Sequence, residues 1–552
     1  MTDRAKTKGG GDSQRLSEQS VRPFCVNAQP EWGQIQSISP FARNPVIVDH
    51  RSVTLEPGTS QDAVRQTFPW KLNSGGGRTP IDWDMAYREF IGRFKEIQWR
   101  DGKQAFAIAC PGRLTLEESF LLSTLAEQGM ETAPCRIESA ASSSLLAYEK
   151  AFGSPVPPYS LADLEESDTI VILGDDVTSV CPPFLERLQR NPYSPDVIAI
   201  SSGTTTRLIS QTHQITVAPD TEALLLQAIL RVMIEKDGID HDFISRATLG
   251  FETLADSLRN CDLIRASRMT GVPIGQIEEL AERLSERQRV SFWWAADGSE
   301  HRHHLEKDAI NLALATGHFG RPGTGANALL PFDQLLEMRA SEMLTRGHPG
   351  HEGPHQHVPL DWSEIREKIL SEEIKGLWII ASNASADWQK DLPASNVLSR
   401  LDFLVVQGQD DSPSLQANVD LYFPSKIWEE KAGSILARDR RLFSLAELQS
   451  APEQVRNDFD IFRQLALYWG CRDLMAGQES PEAVFRILRE RSQTSPLDFT
   501  GVESLSALAH HGDVQLPFDQ HCIAPHGDRR LYDDLKFATS SGKAHFLCDA
   551  LE

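Results

Sequence analysis

From about residue 80 the chain alternates two kinds of stretch. Short runs are largely apolar on both faces, and longer ones repeat apolar residues every third or fourth place. The short runs are Ala105–Cys110, Thr169–Leu173, Asp196–Ser201, Val290–Trp294, Gly376–Ala381 and Phe403–Gln407. Runs without a polar face predict parallel strands covered on both sides. Between them, Thr115-Leu-Glu-Glu118 forms a capping-box pattern ahead of Phe120, Leu121, Leu122 and Leu125. Asp220 or Thr221 caps a second helix through Leu224, Ile229 and Met233. Pro273 opens a third, with Ile277, Leu280, Ala281 and Leu284 on one stripe. Strand–helix alternation of this kind predicts a doubly wound α/β fold. Such sheets bind ligands beyond the carboxyl ends of their strands.

Composition narrows the function classes. The 552 residues are 40% hydrophobic and 24% charged, with 78 acidic against 55 basic residues and a formal charge of -23. This excludes a broad basic surface for nucleic acid or anionic lipid, though not a local basic pocket. The eight cysteines at 25, 110, 135, 181, 261, 471, 522 and 548 contain no CxxC pair, which removes zinc ribbons and compact iron–sulfur motifs. Met1–Gln19 is polar, of mixed charge and without an apolar core, and reads as a disordered tail rather than a signal. The apolar stretch Ala223–Ile234 is too short to span a bilayer and contains Arg231. The expectation is a soluble, cytoplasmic chain with no membrane span.

Several polar clusters carry no chemistry on their own. His301, His303 and His304, with His348, His351, His355 and His357, read as solvated polar stretches, because no carboxylate or thiol stands at a zinc spacing beside them. Gly and Pro in His351-Glu-Gly-Pro-His355 oppose the helix that an HExxH site needs. Asp410-Asp411 and Glu429-Glu430 read as solvated carboxylates. Gly75-Gly-Gly77 lacks the Lys-Ser/Thr of a phosphate loop. No GxSxG elbow occurs. The expectation is no catalytic residue and no protein metal ligand.

One segment is more specific. Ala309–Leu329, AINLALATGHFGRPGTGANAL, is an amphipathic helix ending in a turn of Gly317, Gly320, Pro322, Gly323 and Gly325. It resembles the helix-plus-GRPG signature of the molybdopterin oxidoreductases, the family of assimilatory nitrate reductases and molybdenum formate dehydrogenases. Other landmarks follow in the family's order. These are Arg78–Ala86, the helix Glu117–Gly129, Ile170–Asp175, Ala218–Glu222 (for R-P-G-T-D), Thr270–Pro273 (T-G-V-P), Leu377–Asn383 and Leu401–Val406. Val419–Pro424, Glu430–Gly433, Asp439–Arg441 and Phe537–Phe546 complete the series, with Ser540 where the family has proline. Arg456–Cys471 is similar to the assimilatory nitrate reductase branch.

The resemblance implies two doubly wound subdomains. The first is discontinuous, 66–160 plus 331–500, and a Rossmann-like one, 161–330, is inserted in it. Residues 1–65 and 501–552 are then N- and C-terminal extensions. It implies a molybdenum or tungsten ion held by pterin dithiolenes, usually as guanine dinucleotides, and an N-terminal four-cysteine [4Fe–4S] domain. Candidate contacts to one molybdopterin guanine dinucleotide are Gly174, Asp175, Pro219, Thr221, Glu222, Gly320, Arg321, Pro322 and Gly323.

Four departures qualify that picture. The N-terminal region holds Cys25 alone, so this chain ligates no [4Fe–4S] cluster there. The family's metal-ligand position falls near Ala140, with Cys135, Glu138, Ser139 and Ser142 as neighbours; Cys135 reads as a buried structural thiol and the serines as caps. D-P-R becomes Ser201-Ser-Gly203 with Arg207 beyond, W-G-x-G becomes Trp294-Ala-Ala-Asp297, and G-Q-x-N becomes Leu330-Pro-Phe-Asp-Gln334. The chain stops at Glu552, where the family's C-terminal pterin-binding domain begins. The expectation is a reduced subunit working beside redox partners that supply the missing domains. The alternative is a scaffold without metal or pterin, as in the homologous domain of respiratory complex I.

Overall fold

The computed structural model describes residues 65–111, 114–132, 134–135, 142–174, 177–181, 183–203, 212–296, 300–330, 362–381, 395–409, 418–522 and 528–548, plus the strands β1 (Gln34–Ser37) and β2 (Val46–Asp49). Two sheets organise it.

The larger sheet has seven strands. They are β3 (Trp70–Leu72), β4 (Arg78–Pro80), β5 (Phe106–Ala109), β6 (Pro134–Cys135), β13 (Gly376–Ile380), β14 (Phe403–Gly408) and β15 (Leu421–Pro424), in the spatial order β4-β3-β15-β14-β13-β5-β6. The pairs from β15 to β6 are parallel, whereas β3 and β4 add an antiparallel edge. Helix α1 (Trp83–Asp101) lays Phe90, Phe94 and Ile97 against this sheet. Phe90 meets Trp378 edge-on at 4.9 Å and Phe94 stacks on Phe106 at 3.6 Å.

The chain leaves this sheet after β6 and builds a second one before returning. Its five strands are β7 (Thr169–Leu173), β8 (Asp196–Ser201), β9 (Thr212–Thr216), β11 (Val290–Ala295) and β12 (Gly325–Leu329), all parallel in the order β12-β11-β7-β8-β9. Every residue of β7, β11 and β12 is buried. The helices Glu222–Glu235, Ile274–Glu286 and Glu300–Ala315 pack together beside it, which is why those segments carry apolar stripes.

Residues set apart in the sequence as a C-terminal extension are threaded back through the body. β18 (Asp513–Gln515) joins β16 (Gly433–Leu436) and β17 (Arg441–Leu445) in an antiparallel sheet. β19 (Ala544–His545) pairs in parallel with β10 (Thr248–Leu249). Leu531, Tyr532, Phe537 and Phe546 enter the main core. Arg440, completely buried, ties the crossings together. Its guanidinium donates to the carbonyls of Tyr159 (2.7 Å), Leu516 (3.0 Å), Pro157 and Arg529. The polarity of 501–552 hid this role, because several of its core residues, such as Leu531, Phe537 and Phe546, are single anchors among mostly polar neighbours.

His318, at the exit of the helix Glu300–Ala315, fixes that exit as a neutral ring. Its Nε2 donates to the Arg287 carbonyl at 2.9 Å and Nδ1 meets the Thr316 hydroxyl at 2.8 Å. Burial lowers its value from 6.5 to about 4. The unfolded ring therefore takes up a proton that the folded ring refuses, so stability present above pH 6.5 is lost as pH falls towards 4. The effect is on the order of 3 kcal/mol. His318→Gln is expected to flatten this acid limb, read as urea midpoints at neutral pH and near pH 4.5.

Candidate cofactor-binding edge

Parallel strands gather chain turns at their carboxyl ends, where backbone N–H groups and helix starts point outwards. At this edge of the five-stranded sheet, Gly174 follows β7 with φ +84°, a conformation that favours glycine, and its N–H donates to the Ile200 carbonyl. Past β9 the chain turns through Ala218, Pro219 and Asp220 (φ +62°) into the helix Glu222–Glu235. Thr221 is that helix's N-cap residue, but its hydroxyl donates backwards to the Ala218 carbonyl at 2.7 Å and caps no helix amide. The first amides of a helix of 14 residues therefore stay available to an anion. Asp175 lies outside the described residues, as do Arg207, Asp297, Pro331–Gln334, Glu138, Ser139, Ala140, His348–His357 and Asp410-Asp411.

The GRPG turn lies at the other edge. Gly320, Arg321, Pro322 and Gly323 precede β12, so they sit at the amino end of the sheet, away from Gly174, Pro219, Thr221 and Glu222. Their backbone serves packing. Gly323 has φ +74°, and a Cβ there would stand 2.6 Å from the Glu166 carbonyl. Its N–H donates to Asp163 Oδ1 at 2.9 Å, a carboxylate also paired with Arg530. A Cβ on Gly320 (φ +69°) would overlap the Tyr532 carbonyl oxygen. Arg321 donates to the Gly317 carbonyl at 2.9 Å. The eight described contact candidates thus divide between two opposite edges.

Helix α3 (Ser142–Phe152) follows the segment where the resemblance places the metal ligand, and two buried tethers hold it to the five-stranded sheet. The Tyr148 hydroxyl donates to the Ala326 carbonyl (2.8 Å) and accepts from the Ala328 N–H (2.6 Å), both on β12. Trp294, at the carboxyl end of β11, donates its indole N–H to Ser144 Oγ at 3.1 Å, and Ser144 donates to the buried Glu306. Trp294, the remnant of W-G-x-G, is therefore a fully buried anchor rather than an open contact surface. Cys135 ends β6, and nothing further is described of its side chain. His304 is exposed. Among the described residues no three metal-binding side chains come together.

Sequence reasoning missed a buried polar cluster at the carboxyl edge of the seven-stranded sheet. Helix α2 (Leu116–Thr124) starts with the expected capping box, Thr115 with Glu118. The E-K-A-G motif closes on it from the far side. Lys431 bridges Glu118 (3.1 Å) and Asp458, and Asp458 also takes the Gln407 amide N–H. Ser434 donates to Glu117 from its N–H (2.9 Å) and its hydroxyl (2.6 Å). A Cβ on Gly433 would stand 2.7 Å from Glu117 Oε2, which is why the motif ends in glycine. Desolvation raises Glu117 from 4.5 to about 7. Glu430 meanwhile grips Arg65 with both oxygens, at 2.7 and 2.6 Å. The signal was present as Glu430-Lys-Ala-Gly433, but local spacing gave it no partners.

A family model described as molybdopterin oxidoreductase matches residues 64–468. The chain belongs to that family. It is 23% identical over 499 residues to the nitrate reductase of Synechocystis sp., covering 85% of this chain and 70% of that protein. It is 26% identical to the assimilatory nitrate reductase of Haloferax mediterranei, covering 80% and 64%. With the F420-dependent formate dehydrogenase 2 subunit alpha of Methanococcus maripaludis it shares 24% identity, covering 88% and 75%. The chain spans 54% of the nitrate reductase of Shewanella frigidimarina. The acetylene hydratase of Pelobacter acetylenicus has a similar fold, with TM-score 0.64, 16% identity and coverage of 88% of this chain and 70% of that one.

Membership of the molybdopterin oxidoreductase family implies a molybdenum–pterin cofactor. The carboxyl edge of the five-stranded sheet suits a phosphate of such a cofactor: the turn at Gly174 is bare of side chain, and the helix amides after Thr221 match an anion. No helix among the described residues is long and apolar enough to cross a membrane.

Proposed function

We propose that this member of the family is a subunit of a cytoplasmic redox complex of the nitrate reductase and formate dehydrogenase type. It holds one molybdopterin guanine dinucleotide at the carboxyl edge of the five-stranded sheet and has no complete catalytic centre of its own. The uncapped amides of the helix Glu222–Glu235, facing the same edge as Gly174, are the observation that supports cofactor retention. Thr221 and the amides behind it would hold a phosphate, and the Gly174 turn would let the nucleotide approach the backbone closely. When bound, the cofactor supplies two-electron redox chemistry at its metal.

Incompleteness is supported by a ligand position that falls at or near Ala140 and by Cys25 standing alone in the N-terminal region. Partner chains then contribute the metal ligand and the electron relay. The names of the formate dehydrogenase alpha-subunit relatives describe members of multi-chain enzymes and agree with this arrangement. Those same two sequence facts also favour a second reading, a scaffold that binds neither metal nor pterin.

The deciding measurement is elemental and pterin analysis of the natively purified complex. The proposed reading expects molybdenum or tungsten with extractable pterin, and nitrate or formate turnover only with partners present. An intact, folded complex with neither metal nor pterin leaves the scaffold reading. Thr221→Asp, which would cap the free helix amides with a carboxylate where a phosphate would sit, is expected to lower pterin retained per chain while the fold persists.

A further inference from the structure

β12 carries an asparagine inside a strand whose every residue is buried. Asn327 is 0% exposed, and its Oδ1 and Nδ2 are both buried with no hydrogen-bond partner among the described residues. A carboxamide has two donors and two lone pairs, and leaving all of them unanswered in an interior is costly.

The side chain points along its own strand. Asn327 shares one face of β12 with Gly325 and Leu329. A Cβ on Gly325 would stand 2.7 Å from Asn327 Oδ1, so the carboxamide lies back over Gly325, towards the GRPG turn. A small cavity is there, lined by Asn327, Gly325, Thr324, Arg321, Asp163 and Arg530. It leaves about 10 Å³ for the centre of a water-sized sphere, room for one water and for nothing larger.

The other polar groups around the cavity are engaged with one another. Asp163 takes the Gly323 N–H (2.9 Å) and Arg530 on Oδ1, and the Ser160 N–H (2.9 Å) on Oδ2. Arg530 also reaches Glu166 at 3.2 Å. Arg321 donates to the Gly317 carbonyl at 2.9 Å, and the Thr324 hydroxyl donates to the Arg321 carbonyl at 2.7 Å. None of these bonds answers Asn327.

We propose that this cavity is a specific binding site for a single water, held by the Asn327 carboxamide at the seam between β12, the GRPG turn and the returning C-terminal segment. The water donates one hydrogen to Oδ1 and accepts from Nδ2. Its second hydrogen turns to an acceptor of the same cavity, the Asp163 carboxylate or the Thr324 hydroxyl. Charge selects water over an ion. A cation would answer Oδ1 alone and stand beside Arg321 and Arg530, and an anion would answer Nδ2 alone and stand beside Asp163. A neutral molecule of one heavy atom, both donor and acceptor, answers both ends. Gly325, at φ +130°, belongs to the site because a side chain there would push the carboxamide away.

The test is a high-resolution crystal structure of the full chain. One ordered water is expected within about 3.2 Å of both Asn327 Oδ1 and Nδ2. A carboxamide bonded directly to protein groups, with no density beside it, overturns the proposal. So does a peak with the anomalous signal of an ion. Solution measurement gives a second readout, because oxygen-17 relaxation dispersion counts waters held for longer than the protein takes to tumble. Asn327→Leu, similar in shape but without polar atoms, is expected to lower that count by one, and an unchanged count argues against the site. Should N327L fail to fold, the wild-type crystal structure decides alone.

Discussion

Gly320→Ala is expected to cost about 3–5 kcal/mol, the combined effect of a strained backbone and an overpacked core. The new methyl group would overlap the Tyr532 carbonyl oxygen at a residue with φ +69°. Neither side can give way easily. Tyr532 is itself at φ +67°, and its ring packs against Phe537 at 4.7 Å and Phe152 at 5.6 Å. Gly323→Ala should behave alike, because it meets the Glu166 backbone from a position equally closed to an L side chain. Gly92→Ala is the contrast: it lies in α1 with nothing within 4 Å of the added carbon, and should be neutral or slightly stabilising. Denaturant midpoints of the three variants check the ranking. Near-wild-type stability of G320A would show that the GRPG turn does not pack as described.

The second large effect is at Lys431. Lys431→Met leaves Glu118 and Asp458 buried without their shared cation, and roughly 3–5 kcal/mol should be lost. The triple variant Lys431→Met, Glu118→Gln, Asp458→Asn should recover a substantial part of that loss, since breaking a buried ion cluster costs more than replacing it. Urea unfolding of the single and triple variants measures both. If the single variant is as stable as the wild type, the cluster is not dry.

Much of the fold was legible in advance because parallel strands are buried on both faces. Thr169–Leu173 and Asp196–Ser201 have the bounds their apolar runs suggest. The capping box of Thr115 and Glu118 closes as read. Strands that break the apolar rule were missed. β9 carries Thr212, His213 and Gln214 on a half-covered edge, and β12 is spelled Gly-Ala-Asn-Ala-Leu. The family resemblance was carried largely by residues that pack closely against the rest of the chain: the GRPG glycines, Arg440 and the E-K-A-G turn. A glycine needed beside a ligand and one needed beside a carbonyl look the same in a sequence. Only the placement of the turn before β12 rather than after it separates the two. Gly174 could be proposed from a strand ending and Thr221 from the R-P-G-T-D resemblance, whereas Glu118 meets Lys431 and Glu117 meets Ser434 across more than 300 positions and no local pattern joins them.

The two-residue pairing of β10 with β19 affects how the protein is made. Thr248–Leu249 waits for Ala544–His545, and ribosomes add about 5–20 residues each second, so the two partners emerge tens of seconds apart. During that interval the helix Phe251–Leu258 lacks the Phe546 ring that later packs on Phe251 at 5.5 Å, and the GRPG turn lacks Tyr532. The nascent inserted domain therefore shows apolar surface to the ribosome exit and to any chaperone standing there. It becomes self-contained only when the distant segment swings back.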